Sequence, residues 1–278
     1  MDSQTAATSY RLGFIGGGKL AGSVIRGLVR AKFCAPGLIL VSEPNEATRR
    51  ILEHELGVSG TAGNAEVAEK SEIIFIGVKP SVVVPVLNEL APMLEGKLVV
   101  SLAAGVRVTS LEKTAAAHFM RAMTNTPSAI CRAATALARG SRTTKSELSA
   151  VREIFGTIGA VVEVTDEQID AVTALAGSGP AFVYTVIEAL AHGGEKMGLG
   201  SDAALTLSTQ TVLGAAQLAS ETKLSPEELR KMVVTPGGTT AAGLAAMEKL
   251  KTAEGLIAAV EAATRRGQEM AQETGRGD

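Results

Sequence analysis

The sequence has few aromatic residues and no large charge excess of either sign. Among its 278 residues are six Phe, two Tyr and no Trp, and 27 basic residues stand against 29 acidic ones. Binding of nucleic acid requires clustered basic residues for the phosphates, and binding of single strands also uses aromatic side chains that stack on bases. The composition therefore argues against a nucleic-acid partner.

Cysteine is also scarce, and the residues that could bind a metal are scattered. Cys34 and Cys131 are 97 positions apart, with no Cys-x-x-Cys pair and no histidine cluster beside either one. The three histidines, His54, His118 and His192, are distant from one another in the chain. We expect two reduced thiols and no metal site.

Long hydrophobic runs are missing from the sequence as well. The apolar runs Ile73–Val78 and Leu98–Val106 are far shorter than the roughly 20 residues that span a bilayer. Met1–Tyr10 is polar and lacks the basic start and apolar stretch of a secretory signal. The sequence therefore predicts a cytoplasmic protein without a membrane partner.

What the sequence does have, from Arg11 to Val164, is a regular alternation of short apolar runs with helical stretches. Several runs are almost continuously Ile, Val, Leu or Phe, as in strands buried on both faces. The alternation predicts an α/β fold in which residues 1–165 form a doubly wound, Rossmann-like, mostly parallel sheet. The predicted strands are Arg11–Gly16, Leu38–Glu43, Val58–Thr61, Glu72–Val78, Leu98–Ala103, Phe119–Thr124, Thr135–Arg139 and Ala160–Val164. The predicted helices between them are Leu20–Arg30, Glu46–Leu56, Glu66–Lys70, Ser81–Leu94, Thr109–Ala117 and Lys145–Ile158.

From residue 166 to residue 278 only helices are predicted, and they are rich in Ala and other small residues. Small side chains let helix backbones approach closely, but they leave few large apolar groups to form a core. We therefore expect a C-terminal all-α dimerisation domain that completes its core with a partner subunit. Its predicted helices are Ala181–Lys196, Ala203–Glu221, Glu227–Met232, Gly243–Lys249 and Thr252–Gln272.

A glycine-rich loop lies where the first strand is expected to pass into the first helix. Gly16-x-Gly18-x-x-Ala21 matches the dinucleotide-binding fingerprint with alanine as the third small residue. Gly16 permits the tight turn, Gly18 lets the backbone approach a pyrophosphate, and Ala21 lets the helix pack on the strand. Lys19 and Leu20 begin the helix, whose free N–H groups face the negative charge. The loop predicts a bound dinucleotide.

The identity of the dinucleotide is left open by the residues after the second strand. Glu43 follows Ala21 by 22 residues, and a carboxylate near this position binds ribose hydroxyls and favours NAD(H). Arg49, Arg50 and Asn64 are each able to contact a 2′-phosphate, which would favour NADP(H).

Five stretches together resemble the pyrroline-5-carboxylate reductase family over nearly the whole chain. They are Gly13–Ala21, Val78–Pro80, Met123–Pro127, Asp170–Thr173 continuing to Gly177–Ala181, and Thr235–Gly243. The resemblance implies reduction of Δ1-pyrroline-5-carboxylate to L-proline by hydride transfer from NAD(P)H, the last step of proline biosynthesis. It also implies a homodimer, and larger homo-oligomers such as a decamer stay open.

The resemblance also assigns site residues. For the substrate they are Thr235, Gly238, Thr239, Thr240 and Thr173, with the backbone of the Gly-Gly turn forming a nest for the carboxylate. Thr240 is the candidate that also contacts the imine nitrogen, its alternative role being a plain helix N-cap. For the cofactor the resemblance adds Val78, Lys79, Pro80 and Asn125 to the loop residues, and it assigns Ser42 and Asn64 to the 2′-phosphate of NADPH, against the preference implied by Glu43.

Two alternative functions remain at this point. A β-hydroxyacid dehydrogenase of the same architecture would need a lysine early in the first helix of the second domain. Gly179–Glu195 contains none, and Lys196 comes more than four turns along the helix. A non-catalytic dinucleotide-binding regulator would lack an intact substrate loop, whereas Thr235–Gly243 is complete.

Overall fold

The computed structural model describes residues 9–275, and within them eight strands form one sheet. The first eight residues, on which the prediction of no secretory signal mainly rests, lie outside the described residues, as do the last three. The strands are β1 (Tyr10–Ile15), β2 (Ile39–Ser42), β3 (Ser59–Thr61), β4 (Ser71–Ile76), β5 (Leu98–Ser101), β6 (His118–Met123), β7 (Ala133–Arg139) and β8 (Gly159–Glu163). Each corresponds to a predicted strand.

The strand order is β3-β2-β1-β4-β5-β6-β7-β8, and every neighbouring pair is parallel except β6 and β7. The exception arises because the connection between β6 and β7 is too short for a helical crossover, so the chain turns back on itself. The order reverses between β1 and β4. In open α/β sheets, ligands bind at such a switch point, beyond the carboxyl ends of the strands.

Helices cover both faces of the sheet because alternate strand residues point to opposite sides. Phe14 and Phe75 lie fully buried on one face, stacked with ring centroids 4.7 Å apart. Ile15 and Ile76 are buried in the cluster on the other face. The helices of this region are α1 (Lys19–Arg30), α2 (Glu46–Leu56), α3 (Asn64–Lys70), α4 (Pro80–Leu90), α5 (Val108–Glu112) and α6 (Lys145–Gly156).

The remaining helices are α7 (Ile169–Val172), α8 (Gly179–Lys196), α9 (Ser201–Glu221), α10 (Pro226–Met232), α11 (Thr239–Lys249) and α12 (Thr252–Gly275). Two features differ from the prediction. No helix was predicted between residues 166 and 180, but α7 and a π-helical turn over Thr173–Gly177 precede α8. Helix α11 begins four residues before the predicted Gly243, because Gly238 is extended and serves as its N-cap.

Contacts divide the chain into two compact units, one comprising the chain up to Ser178 together with the segment from Glu261, and one comprising Gly179–Val260. The sequence predicted a boundary after residue 165, where the strands end. Residues 166–178 belong with the sheet by their contacts, because polar side chains of the sheet bind them, as described below.

The second unit exposes much of its apolar surface. All of residues 179–260 are described, and only Ala191, Ala204 and Ser208 among them are buried. Large side chains that would normally lie inside are exposed, including Leu205, Leu207, Leu213, Leu218, Leu250 and Ile257. An exposed apolar surface of this extent marks an interaction site.

One helical stretch in the described chain, Asp166–Lys196, is long and apolar enough to cross a membrane by length and composition alone, with a mean hydropathy of 1.3 over its best window. The sequence prediction, which rested on the longest nearly uncharged apolar runs, expected no stretch of this kind. Asp170 within it is buried and ion-paired with Arg107. This pairing fixes the first part of the stretch to the start of α5, which lies between β5 and β6.

Candidate active site

The glycine loop between β1 and α1 has the backbone geometry that only small residues allow. Gly16 is buried with φ of +93°, and a Cβ placed there would lie 2.9 Å from the carbonyl carbon of Gly77. Gly77 follows β4, and a Cβ on it would lie 2.7 Å from the Cβ of Ala21. Gly16 and Ala21 therefore have the roles predicted for them in the turn and in helix packing. Gly77 was not identified from the sequence, although its place directly after a buried strand was an available indication.

The space beside Gly18 fits a pyrophosphate. Gly18 is exposed and is the N-cap of α1, and no protein atom lies within 4 Å of where its Cβ would be. No side chain caps the helix and its first turn contains no acidic residue, so the N–H groups that begin at Lys19 and Leu20 keep their capacity to bind an anion. The donor set and the open space match the phosphates of a dinucleotide.

The last residue of β2 and the first residue of α3 meet beside this loop. The hydroxyl of Ser42 is buried and donates to the side-chain oxygen of Asn64 at 2.7 Å. The carboxylate of Glu43 accepts hydrogen bonds from the backbone N–H groups of Gly17 and Asn45, both at 3.0 Å. The structure thus brings together Ser42, Glu43 and Asn64, three of the five residues on which the choice of dinucleotide was predicted to depend, and the other two, Arg49 and Arg50, lie on α2 directly after them.

The residues predicted after β4 lie next to the loop. Val78 is half-buried, and its Cγ1 lies 2.9 Å from the position a Cβ on Gly16 would occupy. Lys79 is exposed as the N-cap of α4, and Pro80 is the first residue of that helix, where its missing N–H is not needed.

Asn125, which follows β6, has a buried side chain with internal partners on both sides. Its oxygen accepts from the N–H of Ala134 at 3.1 Å, and its amide nitrogen donates to the carbonyl of Ala176 at 3.1 Å. The side chain therefore connects β7 with the π-helical turn that carries Thr173. Within that turn the Thr173 hydroxyl donates to the carbonyl of Ile169 at 2.8 Å.

A network of buried charges fixes the segment that leads to Thr173. The guanidinium of Arg121 on β6 donates to Asp166 at 2.7 Å, and Arg107 donates to Asp170 at 2.5 Å and to the Asp166 carbonyl at 2.8 Å. Arg121 and Asp170 are each 1% exposed. The sequence analysis missed this network, although an arginine in the middle of the apolar strand Phe-Met-Arg-Ala-Met was an available indication.

The predicted substrate loop lies in the second unit, at the N-terminus of α11. The N–H of Gly238 donates to the carbonyl of Thr235 at 3.0 Å, and Gly237 has φ of +73°, which closes a tight turn. No side chain caps α11. Because the helix begins at Thr239, both Thr239 and Thr240 lie in its first turn, where free N–H groups favour an anion such as a carboxylate.

Comparison with known proteins connects both units to one family. Residues 166–270 match the family model for pyrroline-5-carboxylate reductase dimerisation, and residues 11–105 match that of the coenzyme F420-dependent NADP oxidoreductases. Pyrroline-5-carboxylate reductase from Glycine max is 40% identical over 266 residues, covering 95% of this chain and 97% of that protein. The enzyme of that name from Synechocystis is 41% identical over 263 residues, covering 94% and 98%. The chain belongs to the pyrroline-5-carboxylate reductase family.

Solved structures of pyrroline-5-carboxylate reductases have the same fold. That from Coxiella burnetii superposes with a TM-score of 0.87 at 34% identity, covering 95% of this chain and 99% of that one. The enzyme from Plasmodium falciparum, whose structure has NADP bound, gives a TM-score of 0.85 at 28% identity, covering 94% and 98%. The resemblance based on five sequence stretches and the predicted fold class, a doubly wound sheet followed by a helical dimerisation domain, are confirmed.

Proposed function

We propose that this chain is a pyrroline-5-carboxylate reductase that converts Δ1-pyrroline-5-carboxylate to L-proline with NADP(H). The observation that carries the proposal is about 40% identity to reductases of that name over nearly the whole of both chains. The N-termini of α1 and α11 support it independently, because neither has a side-chain cap and each offers free N–H groups suited to an anion. At α1 the open space beside Gly18 leaves room for that anion.

When bound, the reduced nicotinamide would supply a hydride to the imine carbon of the N-protonated substrate, which is C2 of its ring and becomes C5 of proline. The protein then has to hold and orient the reactants. In our proposal the Gly16–Ala21 loop holds the pyrophosphate, while Val78, Lys79 and Pro80 flank the nicotinamide and its ribose. Asn125 acts as a positioning residue, since its amide is engaged by Ala134 and Ala176.

On the substrate side we assign the carboxylate to the turn formed by Thr235, Gly238, Thr239 and Thr240, with Thr173 as a further contact. A cyclic imine that binds in its protonated form is already electrophilic, so no strong general acid is required. The Thr240 hydroxyl is proposed to accept a hydrogen bond from the imine N–H as well as to contact the carboxylate. The β-hydroxyacid dehydrogenase alternative is disfavoured because Lys196 is the last residue of α8.

The proposal is tested by following cofactor oxidation with Δ1-pyrroline-5-carboxylate, with NADPH and NADH measured side by side. We expect turnover that produces one proline for each cofactor oxidised. Tight cofactor binding without turnover would refute the substrate and support the non-catalytic regulator instead.

Replacing Thr240 by alanine is expected to raise the KM for Δ1-pyrroline-5-carboxylate by about 10- to 100-fold, as expected for the loss of a hydrogen bond to a charged group. Steady-state kinetics at saturating cofactor provide the measurement. The Thr240→Ser variant keeps the hydroxyl and is expected to stay near the wild-type KM. An alanine variant with unchanged KM would remove Thr240 from the substrate site.

We further propose that the enzyme is a homodimer joined through the helices of the second unit. Between α8 and α12 lies an apolar groove of about 310 Å³, lined by Phe182, Val186, Ala189, Leu256 and Ala259 among others. Together with the exposed leucines of α9, it forms a surface that a second copy would bury. The match to a dimerisation model over residues 166–270 supports the same interface.

A further inference from the structure

The end of β2 contains a conflict between charge and cofactor. A glutamate at the position of Glu43 ordinarily binds the ribose hydroxyls of NAD(H) and repels a 2′-phosphate. The cofactor proposed above is NADP(H), which carries that phosphate. The hydrogen bonds made by Glu43 and by the neighbouring Arg49 resolve this conflict.

Both oxygens of the Glu43 carboxylate are bonded to backbone N–H groups. One accepts from Gly17 in the glycine loop at 3.0 Å, and the other accepts from Asn45 at 3.0 Å. Asn45 in turn is the N-cap of α2, where its side chain accepts from the N–H of Thr48. The carboxylate therefore joins the glycine loop to the start of α2, and its charge is stabilised by backbone donors.

Arg49 places a positive charge at the same strand end. Its Nη1 donates to the backbone carbonyl of Glu43 at 2.6 Å, which fixes the position of the guanidinium. The stem of the side chain packs over Gly60 of β3, where a Cβ would come within 2.8 Å of its Cγ. A guanidinium has five N–H donors, so several remain for a ligand.

The neighbouring Arg50 differs from Arg49 in its surroundings. Arg50 is 74% exposed and forms an ion pair with Glu46 at 2.5 Å. Over residues 9–275, by contrast, no carboxylate oxygen lies within 4.0 Å of the Arg49 guanidinium. Arg49 thus forms no ion pair among the described residues, while the carboxylate of Glu53, one turn further along α2, lies beside its stem over Gly60. Its guanidinium is located where the second strand meets the dinucleotide loop.

We propose that Arg49 binds the 2′-phosphate of the cofactor, and that Glu43 braces the glycine loop without selecting NAD(H). This inference rests on the proposed use of NADP(H). Arginine and phosphate form short, charge-assisted and often bidentate hydrogen bonds, which suits a guanidinium whose position is already set by a backbone carbonyl. The Ser42–Asn64 pair lies at the same edge and completes a polar surface for the phosphate.

The test compares two small ligands that differ only in the 2′-phosphate, adenosine 2′,5′-bisphosphate and adenosine 5′-monophosphate. Their dissociation constants are measured by titration calorimetry on the full-length enzyme and on Arg49→Gln and Arg50→Gln. We expect Arg49→Gln to weaken binding of the bisphosphate by about 10- to 100-fold and to leave the monophosphate nearly unchanged. Arg50→Gln, which removes the same charge one residue further along α2, is expected to resemble the wild type with both ligands.

The outcomes separate this inference from the proposed function. If the wild-type enzyme binds both ligands equally, the proposed preference for NADP(H) fails. If the wild type prefers the bisphosphate and Arg49→Gln loses no more of this preference than Arg50→Gln does, only the assignment of Arg49 fails. Arg49→Lys retains the charge but not the fork of donors. An intermediate preference of this variant for the bisphosphate over the monophosphate supports a bidentate contact. A loss of that preference as complete as in Arg49→Gln contradicts a role for the charge.

The role of Glu43 is tested with Glu43→Gln and the same two ligands. As a brace of the loop, Glu43 is expected to affect both ligands alike, because glutamine offers one acceptor oxygen where the carboxylate offers two. Selective tightening of the bisphosphate alone would show that Glu43 repels the 2′-phosphate and would overturn its role as a brace.

Discussion

Replacing Asp166 by alanine is expected to lower the free energy of unfolding by about 3–5 kcal/mol, because it leaves a buried charge without its partner. Arg121 is 1% exposed, and its ion pair with Asp166 is 2.7 Å long. Two of its other nitrogens, Nε and Nη2, have no partner among the described residues. The Asp166 carboxylate also accepts from the N–H of Val108 at 3.2 Å, so alanine would remove a second contact. Urea denaturation measures the loss.

A double variant shows whether the buried charge is responsible. Arg121→Met combined with Asp166→Ala removes both charges and keeps an unbranched apolar side chain in the strand, so it is expected to recover much of the stability lost by Asp166→Ala alone. Glu89→Ala on α4, an exposed site, is expected to change stability by less than about 0.5 kcal/mol. A double variant no more stable than Asp166→Ala would show that the Val108 contact, and not the buried charge, carries the effect.

Alanine at either glycine of the dinucleotide loop is expected to weaken NADPH binding by more than about tenfold, but for different reasons at the two positions. At Gly16 the φ of +93° and a backbone carbon 2.9 Å from the new Cβ strain the protein itself, at a cost of about 1–3 kcal/mol in stability. At Gly18 the φ of −63° is ordinary and the new Cβ meets no protein atom, so only the approach of the pyrophosphate is obstructed.

Thermal denaturation and NADPH titration of the two variants distinguish these causes. Gly16→Ala is expected to lose both melting temperature and affinity. Gly18→Ala is expected to keep its melting temperature or gain slightly, since alanine lowers the entropy of the unfolded chain by the equivalent of about 0.4–1 kcal/mol. Full NADPH affinity in Gly18→Ala would mean that the pyrophosphate lies elsewhere.

Much of the α/β unit could be predicted because its determinants are local. Strands buried on both faces need nearly continuous apolar runs, which made β1, β4 and β5 visible in the sequence. The glycine loop was equally visible, because a tight turn between strand and helix restricts its residues to the smallest types.

The segment between the sheet and α8 could not be predicted in the same way. Residues 166–177 are helical although their sequence gave no clear helical pattern. Their position depends on Arg107 and Arg121, which are 63 and 45 residues away from their partners Asp170 and Asp166 in the chain. No local pattern encodes such pairings, because each forms only once the sheet has brought the two residues together.

The sequence by itself determined the class of fold and the family, and it predicted the place of the dinucleotide, since each follows from short-range periodicity or from motifs in a fixed order. The tertiary structure alone decided what individual polar groups contact. It turned the Glu43 carboxylate toward Gly17, 26 residues away, and committed the Asn125 amide to Ala134 and Ala176. The physical reason is that a buried polar group bonds to whatever donors and acceptors the packed chain places within about 3 Å of it, and these neighbours are set by the packing of distant segments.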